Sequence, residues 1–112
     1  MLDIAPFQNV PYAGEKFCRT FTAQVLASVG IPVPAVEDPA DAADWQQVQA
    51  PQPEDIVVFR RGRRPSHVGV CIGRGRFLHV EEGARSCVER LASPIWQPRI
   101  VGFYRYTGER TA

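Results

Sequence analysis

Residues 66–79 read SHVGVCIGRGRFLH, two short runs of β-branched and aromatic residues on either side of Gly73-Arg74-Gly75. Such runs separated by glycine are typical of a β-hairpin. The two predicted strands carry His67 and His79, the only histidines among the 112 residues. A site that uses both imidazoles must therefore be built on this hairpin.

The length of the hairpin loop decides whether the two imidazoles can meet. A two-residue loop at Arg74-Gly75 would place them on opposite faces of the sheet. A three-residue loop that begins at Gly73, with Gly75 in the left-handed conformation of a bulge, pairs Gly69 with His79. Both imidazoles then share one face, with room between them because Gly69 has no side chain. We predict this second register.

Upstream of the hairpin, an apolar residue at about every fourth position predicts one helix between Gly14 and Gly30. The repeating positions are Phe17, Phe21, Val25 and Val29. Gly30 suits a left-handed helix cap, and the prolines that follow it cannot continue a helix. Cys18 is therefore expected in the first turn, where backbone amides lack intrahelical acceptors.

Downstream of residue 53 the apolar pattern has a period of two, which predicts strands. The predicted strands are 56–60, 67–72, 76–81, 86–91 and 100–106. One helix followed by about five strands predicts an α+β fold, with the helix packed on an antiparallel sheet. Residues 31–52 predict a connecting loop that packs through Trp45, with a short helix around residues 41–49. A chain of 112 residues predicts a single domain spanning 1–112.

Composition excludes some classes of partner. The chain has 13 Lys and Arg against 12 Asp and Glu, so no bulk charge favours nucleic acid or a membrane as a partner. The three cysteines are too scattered for a zinc site or a disulfide scaffold, and reduced thiols are expected. Residues 1–6 lack the features of a signal peptide, which predicts synthesis in the cytoplasm.

The basic run Arg60-Arg61-Gly62-Arg63-Arg64 lies between two predicted strands. Its position and its central glycine favour a solvated hairpin loop over a nucleic-acid site, because no aromatic residues are interleaved with the arginines. Contact with an anionic polymer or with a partner protein is equally consistent with the run.

Cys18, His67 and His79 together offer the chemistry of a cysteine hydrolase. A helix N-terminus and a neighbouring imidazolium both favour the thiolate form of a cysteine. His67 would act as base and then as acid, and His79 would hold its orientation and tautomer. The Cys18 N–H would be the first donor of an oxyanion hole.

Two other interpretations of these residues stay open. A lone cysteine in a helix is most often a small buried hydrophobic residue, and two histidines are often incidental. Metal binding by Cys18, His67, His79 and Cys71 is disfavoured, because no two of them have short ligand spacing. No metal or other cofactor is expected.

These residues resemble the NlpC family of papain-like cysteine peptidases, which cleave stem peptides of bacterial peptidoglycan. The family motif Asp-Cys-Ser-Gly-Phe, at a helix start, corresponds to FCRTF at residues 17–21. The family strand Pro-Gly-Asp-Leu-Val-Phe-Phe corresponds to residues 53–59. The family strand His-Val-Gly-Ile-Tyr-Leu-Gly corresponds to residues 67–73, and His79 is the second histidine, twelve residues after His67.

The resemblance extends from about Tyr12 to Tyr106 and implies a papain-like fold and a peptidoglycan peptide substrate. It also implies that Cys18, His67 and His79 form the catalytic triad, in an order that separates the chain from permuted relatives. Tyr12 resembles an upstream tyrosine whose hydroxyl approaches the nucleophile, which implies a role with Cys18 in binding substrate or oxyanion.

The C-terminal half looks most like family members that are encoded with phage tail genes. The segments concerned are residues 78–83, 88–91 and 100–105. This resemblance implies a place in the virion, tail or baseplate proteins as partners, and action on the bacterial cell wall. The alternatives are a structural tail module with the same fold and weak or lost activity, and an amidase or acyltransferase that uses the same triad.

Overall fold

The computed structural model describes residues 2–33 and 41–110. Its main elements are helix α1 (Phe17–Ala27) and strands β1 (Trp45–Val48), β2 (Ile56–Arg61), β3 (Arg64–Gly73), β4 (Arg76–His79), β5 (Cys87–Arg90) and β6 (Ile100–Tyr106). Short 3-10 helices lie at Ala5–Phe7 and Gln97–Arg99. Within these residues no helix has the length and apolar character needed to cross a bilayer.

The six strands of the described residues form one antiparallel sheet in the order β1-β6-β2-β3-β4-β5. Helix α1 packs on this sheet, mainly on β3. The predicted α+β fold, with one helix on an antiparallel sheet, is confirmed. The sheet has one strand more than the five that the sequence predicts.

The additional strand is β1, and the prediction of a short helix around residues 41–49 is wrong. Trp45 pairs with Tyr106 of β6, and the two rings lie 5.5 Å apart between centroids. Pairing along the free edge of β6 provides hydrogen bonds and apolar contact that outweigh local propensity in so short a segment. The packing role of Trp45 is confirmed, since it is buried. Residues 34–40 of the predicted loop lie outside the described residues.

Alternate residues of the strands enter two separate apolar clusters, one on each face of the sheet. The helix face is covered by α1. Its buried strand residues include Ile56, Val58, Val70, Leu78 and Tyr104. The opposite face, which we call the histidine face, has a cluster that contains Val57, Phe59, Cys71, Phe77, Leu91 and Trp96. The chain therefore buries both faces of the central strands.

Helix α1 is shorter than the predicted range of 14–30, because it begins after Lys16, whose φ of 52° is left-handed. Its C-terminal end is as predicted. Gly30 has a φ of 77°, and the N–H of Ile31 returns to the Leu26 carbonyl at 3.0 Å. Cys18 is the second residue of the helix, so its predicted position in the first turn is confirmed.

The β3–β4 hairpin reaches the predicted register by a different route. The loop has two residues, Arg74 and Gly75, both with positive φ, so the predicted three-residue loop is wrong. Gly73 pairs with Arg76, and the register then shifts between Cys71 and Gly73. Ile72 is thus an extra residue in β3, and this bulge moves every earlier residue of the strand by one position.

The bulge brings Gly69 opposite His79. Val70 pairs with Leu78, and a Cβ added to Gly69 would lie 3.2 Å from the Cβ of His79 and 3.1 Å from the Phe77 ring. Contacts of 3.1–3.2 Å are closer than an ordinary side chain tolerates without displacing its neighbours. The room that the sequence assigns to the missing side chain of Gly69 is therefore filled by β4.

Candidate active site

The two histidines are in direct contact on the histidine face. The Nε2 atom of His67 lies 2.7 Å from the Nδ1 atom of His79, with ring centroids 5.0 Å apart. The His67 ring lies between Phe59 and Trp96, at centroid distances of 5.6 and 5.4 Å. The prediction that the two imidazoles share a face and meet is confirmed.

A carboxylate that the sequence analysis did not single out completes this contact. The Nε2 atom of His79 lies 2.5 Å from Oε2 of Glu89, and the same oxygen accepts a 3.0 Å hydrogen bond from the indole N–H of Trp96. The alternation of side chains along β5 predicts the position of Glu89. Cys87 pairs with His79, and Glu89, two residues later, points to the same face.

The hydrogen bonds define the tautomers of both imidazoles. An ionised Glu89 can only accept, so His79 donates its Nε2–H to the carboxylate. The Nδ1 atom of a neutral His79 is then an acceptor, and His67 donates its Nε2–H to it. The remaining nitrogen of His67, Nδ1, carries a lone pair. This nitrogen is the only one in the chain of contacts that is free to take a proton from a nucleophile.

Burial keeps both imidazoles neutral near pH 7. Burial, with smaller effects of the neighbouring His79 and of the Arg99 charge, lowers the pKa of His67 from 6.5 to about 3. Burial also lowers the pKa of His79, against the opposing effects of its hydrogen bond to Glu89 and of the Glu89 and Glu81 charges. The imidazolium that the sequence analysis expects beside the thiol is therefore absent from the resting protein at neutral pH.

Cys18 lies at the start of α1, and the residue is only 6% exposed. Helix α1 covers the helix face of β3 and β4, whereas the two imidazoles of these strands lie on the histidine face, against Phe59 and Trp96. In the described part of the chain no hydrogen bond joins the Cys18 thiol to an imidazole. The structure thus brings the histidines together and leaves the thiol outside hydrogen-bond contact with them.

Tyr12 contacts the same helix start. Its hydroxyl oxygen accepts a 3.0 Å hydrogen bond from the backbone N–H of Phe17, and the two rings pack edge to face at 5.5 Å. Two residues after Phe17, the backbone N–H of Arg19 donates a 3.0 Å hydrogen bond to the Lys16 carbonyl. Between them, the amide of Cys18 is in the first turn, where no intrahelical acceptor exists. Tyr12 therefore orders the helix start through Phe17.

The metal-binding set that the sequence disfavours, Cys18, His67, His79 and Cys71, is not brought together as a ligand cluster among the described residues. Burial, with a smaller effect of the Asp55 charge, raises the pKa of Cys71 to about 12, which makes it an unreactive thiol. The donor atoms that do cluster belong to His79, Cys87 and Glu89, within 4.8 Å of one another.

These three residues could hold a metal only after rearrangement. The Sγ atom of Cys87 lies 3.9 Å from Nε2 of His79 and from Oε2 of Glu89. The His79 and Glu89 atoms are 2.5 Å apart and bonded to each other. Two ligands of one zinc ion, each about 2.0–2.2 Å from it, need a wider separation. The geometry is that of a hydrogen-bonded pair.

Comparison with known proteins identifies relatives of the chain. The family model described as the NlpC/P60 family matches residues 12–105. A probable endopeptidase p60 of Listeria seeligeri is 28% identical over 89 residues, which are 79% of this chain and 17% of the relative. The murein DD-endopeptidase MepS/murein LD-carboxypeptidase of Escherichia coli is 33% identical over 45 residues, 40% of this chain and 24% of the enzyme. The chain thus spans less than a quarter of the length of these relatives.

Two solved structures share the fold. An NLP/P60 family protein of Staphylococcus aureus, described as similar to lipoprotein, aligns with a TM-score of 0.74 and 22% identity over 93% of this chain and 39% of its own. An NlpC/P60 family protein of Bacillus cereus aligns with a TM-score of 0.75 and 23% identity over 91% of this chain and 37% of its own. At this identity the similarity concerns the fold alone.

The neutral state of the histidines predicts that acid destabilises the fold. The unfolded chain binds a proton at His67 near pH 6.5, whereas the folded chain binds it only near pH 3. Stability is therefore fully present above pH 6.5 and lost as the pH falls toward 3. Between pH 7 and pH 5 we expect a loss of about 1–2 kcal/mol from His67. Urea unfolding of the wild type and of His67→Gln at both pH values measures it, and an equal loss in the variant would contradict the prediction.

Proposed function

The chain belongs to the NlpC/P60 family, and from this premise we propose that it is a cysteine peptidase that hydrolyses amide bonds in peptidoglycan stem peptides. The names of the relatives, an endopeptidase and a murein endopeptidase, support this substrate class. The observation that carries the proposal is the contact chain of His67, His79 and Glu89, which leaves Nδ1 of His67 as a base.

In the proposed first step, the Cys18 sulfur attacks the carbonyl carbon of the peptide and its proton passes to Nδ1 of His67. The oxygen of the tetrahedral intermediate is stabilised by the Cys18 N–H at the helix start, where the positive end of the helix dipole adds to the effect. Tyr12 contributes by holding this helix start in place through Phe17.

The intermediate then collapses as the carbon–nitrogen bond breaks and His67 gives its proton to the departing amine. The product is a thioester of Cys18. Water attacks the thioester, His67 takes a proton from that water, and the proton returns to the sulfur as the acid leaves. His79 and Glu89 do not exchange protons with substrate. They hold the His67 tautomer throughout, as positioning residues.

The absence of a hydrogen bond between Cys18 and His67 bears on this mechanism. Catalytic hydrogen bonds are often long in a substrate-free enzyme and shorten when substrate binds. The first step therefore requires the thiol and Nδ1 to approach each other when a peptide occupies the site. The same observation favours a second candidate function, a structural module that retains the fold and has weak or lost activity.

We also propose that the chain acts from the tail of a phage virion, with tail or baseplate proteins as partners and the cell wall as target. The support is the resemblance of residues 78–83, 88–91 and 100–105 to members encoded with tail genes. Mass spectrometry of purified virions from a host that carries the gene tests the proposal. The chain should be present at a fixed ratio to tail proteins, and its absence from infective particles would contradict the proposal.

Replacing the nucleophile separates the two candidate functions. We expect Cys18→Ala to abolish cleavage of purified muropeptides, measured by mass spectrometry, because no other thiol lies at a helix start. Gln24→Ala is the matched control, an exposed residue of the same helix outside the proposed mechanism, and should cleave at the wild-type rate. Equal cleavage by wild type and Cys18→Ala would contradict the mechanism, and no cleavage by wild type would favour the structural module.

Removing the Glu89 charge tests the positioning role. A hydrogen bond to a charged group contributes about 1.5–3 kcal/mol, so Glu89→Gln should lower kcat about 10- to 100-fold with little change in KM. Glu82→Gln removes an exposed charge close by in sequence and should leave both constants unchanged. Nitrogen NMR of the imidazoles should show a mixture of tautomers in Glu89→Gln. Unchanged kcat and tautomers would contradict the role.

A further inference from the structure

An open depression of about 480 Å³ lies at the β2–β3 turn, and it is lined mainly by arginines. Its walls are Arg60, Arg61, Gly62, Pro98 and Arg99. The first three belong to the basic run noted in the sequence, and the last two belong to the short 3-10 helix before β6. The proposed catalytic steps make no use of these residues.

The two walls of the depression are bonded to each other. The guanidinium of Arg60 donates to the Pro98 carbonyl at 3.3 Å, and Nε of Arg99 donates to the Arg60 carbonyl at 3.0 Å. A guanidinium has five N–H donors, so each side chain keeps most of its donors for another partner. The depression is therefore built before any ligand arrives.

The arginines of the depression lack the carboxylate partner that Arg105 and Arg110 have. Arg105 is paired with Asp55 at 2.9 Å, and Arg110 with Glu54 at 2.7 Å. Within residues 2–33 and 41–110, no carboxylate forms an ion pair with Arg60, Arg61 or Arg99. A small site with several unneutralised guanidinium groups favours an anion, and their forked donors match a carboxylate.

The depression is adjacent to the candidate active site. The Cζ atom of Arg99 lies 4.7 Å from the centre of the Trp96 ring, and Trp96 stacks on His67 with 5.4 Å between centroids. The guanidinium is thus within about 10 Å of the imidazole, the length of about three extended peptide residues. A peptide that reaches His67 with its scissile amide can place a neighbouring residue in the depression.

We propose that this depression is a substrate subsite that binds a free carboxylate of the peptide, two or three residues from the amide that is cleaved. The proposal rests on the proposed function and adds to it a preference among peptides. Its size and its position beside His67 favour a side chain of the substrate over a polymer of phosphates, which needs an extended basic surface.

Arg61 is the residue to replace, because no hydrogen bond of its side chain supports the walls among the described residues. Two synthetic stem peptides serve as substrates. They are identical except that the carboxylate two or three residues from the cleaved amide is free in one and amidated in the other. We expect Arg61→Gln to raise KM for the free acid about 10-fold or more, with kcat unchanged. KM for the amide should not change.

Arg76→Gln is the matched control, because it removes the same charge at the opposite end of β3. Arg76 pairs with Gly73, the last residue of the ten-residue strand that begins at Arg64. Arg61 pairs with Arg64 at the other end of the strand, so Arg61 and Arg76 are separated by the length of β3, about 30 Å. This variant should leave KM unchanged for both peptides, which separates a local subsite from the effect of net charge.

Calorimetry with the Cys18→Ala chain keeps the subsite testable if no peptide is cleaved. The free acid should bind about 10-fold more tightly than the amide, and Cys18→Ala with Arg61→Gln should lose this difference. Equal binding of the two peptides would overturn the subsite and leave the proposed function untouched. Tighter binding of a phosphate polymer, sensitive to Arg61→Gln while the peptides bind equally, would overturn it as well.

Discussion

The hydrogen bond between His79 and Glu89 is the constraint on which the candidate site depends. His79 is completely buried, and an imidazole in that position needs partners for both nitrogens. Glu89 takes the Nε2–H and His67 supplies a donor to Nδ1, so a single carboxylate defines the protonation of two rings. The indole of Trp96 donates to the same carboxylate and stacks on His67, which links the orientation of the base to that of its partner.

Much of the fold could be predicted from the sequence because its signals are local. The helix cap at Gly30 and the alternation of β2, β3 and β6 are readable from neighbouring residues. Strand β1 is not, because its four residues depend on the edge of β6, more than fifty positions away. Likewise the bulge at Ile72 has no local signal, since Gly73 and Gly75 permit either loop.

The sequence predicts part of the candidate site, the contact of the two histidines, but not Glu89 or the distance from the thiol to the base. Two histidines twelve residues apart indicate a hairpin site, and the geometry confirms their contact. Glu89 could be identified only after the pairing of β4 with β5 was known, because the pairing of Cys87 with His79 places it on the histidine face. The position of the thiol relative to the base depends on how α1 lies on the sheet, and no sequence pattern determines that distance.

Burial lowers the pKa of His67 to about 3, so His67 is a weak base in the resting protein. The arrangement of the site favours its protonation during the reaction and not before it. A neutral His67 carries no charge, so the resting protein avoids the cost of burying an imidazolium before substrate arrives. During attack, charge develops on both the substrate oxygen and His67. Glu89, through His79, is placed to stabilise a positive His67 at that moment. The proposed catalyst therefore gains its electrostatic advantage in the transition state, where stabilisation accelerates the reaction.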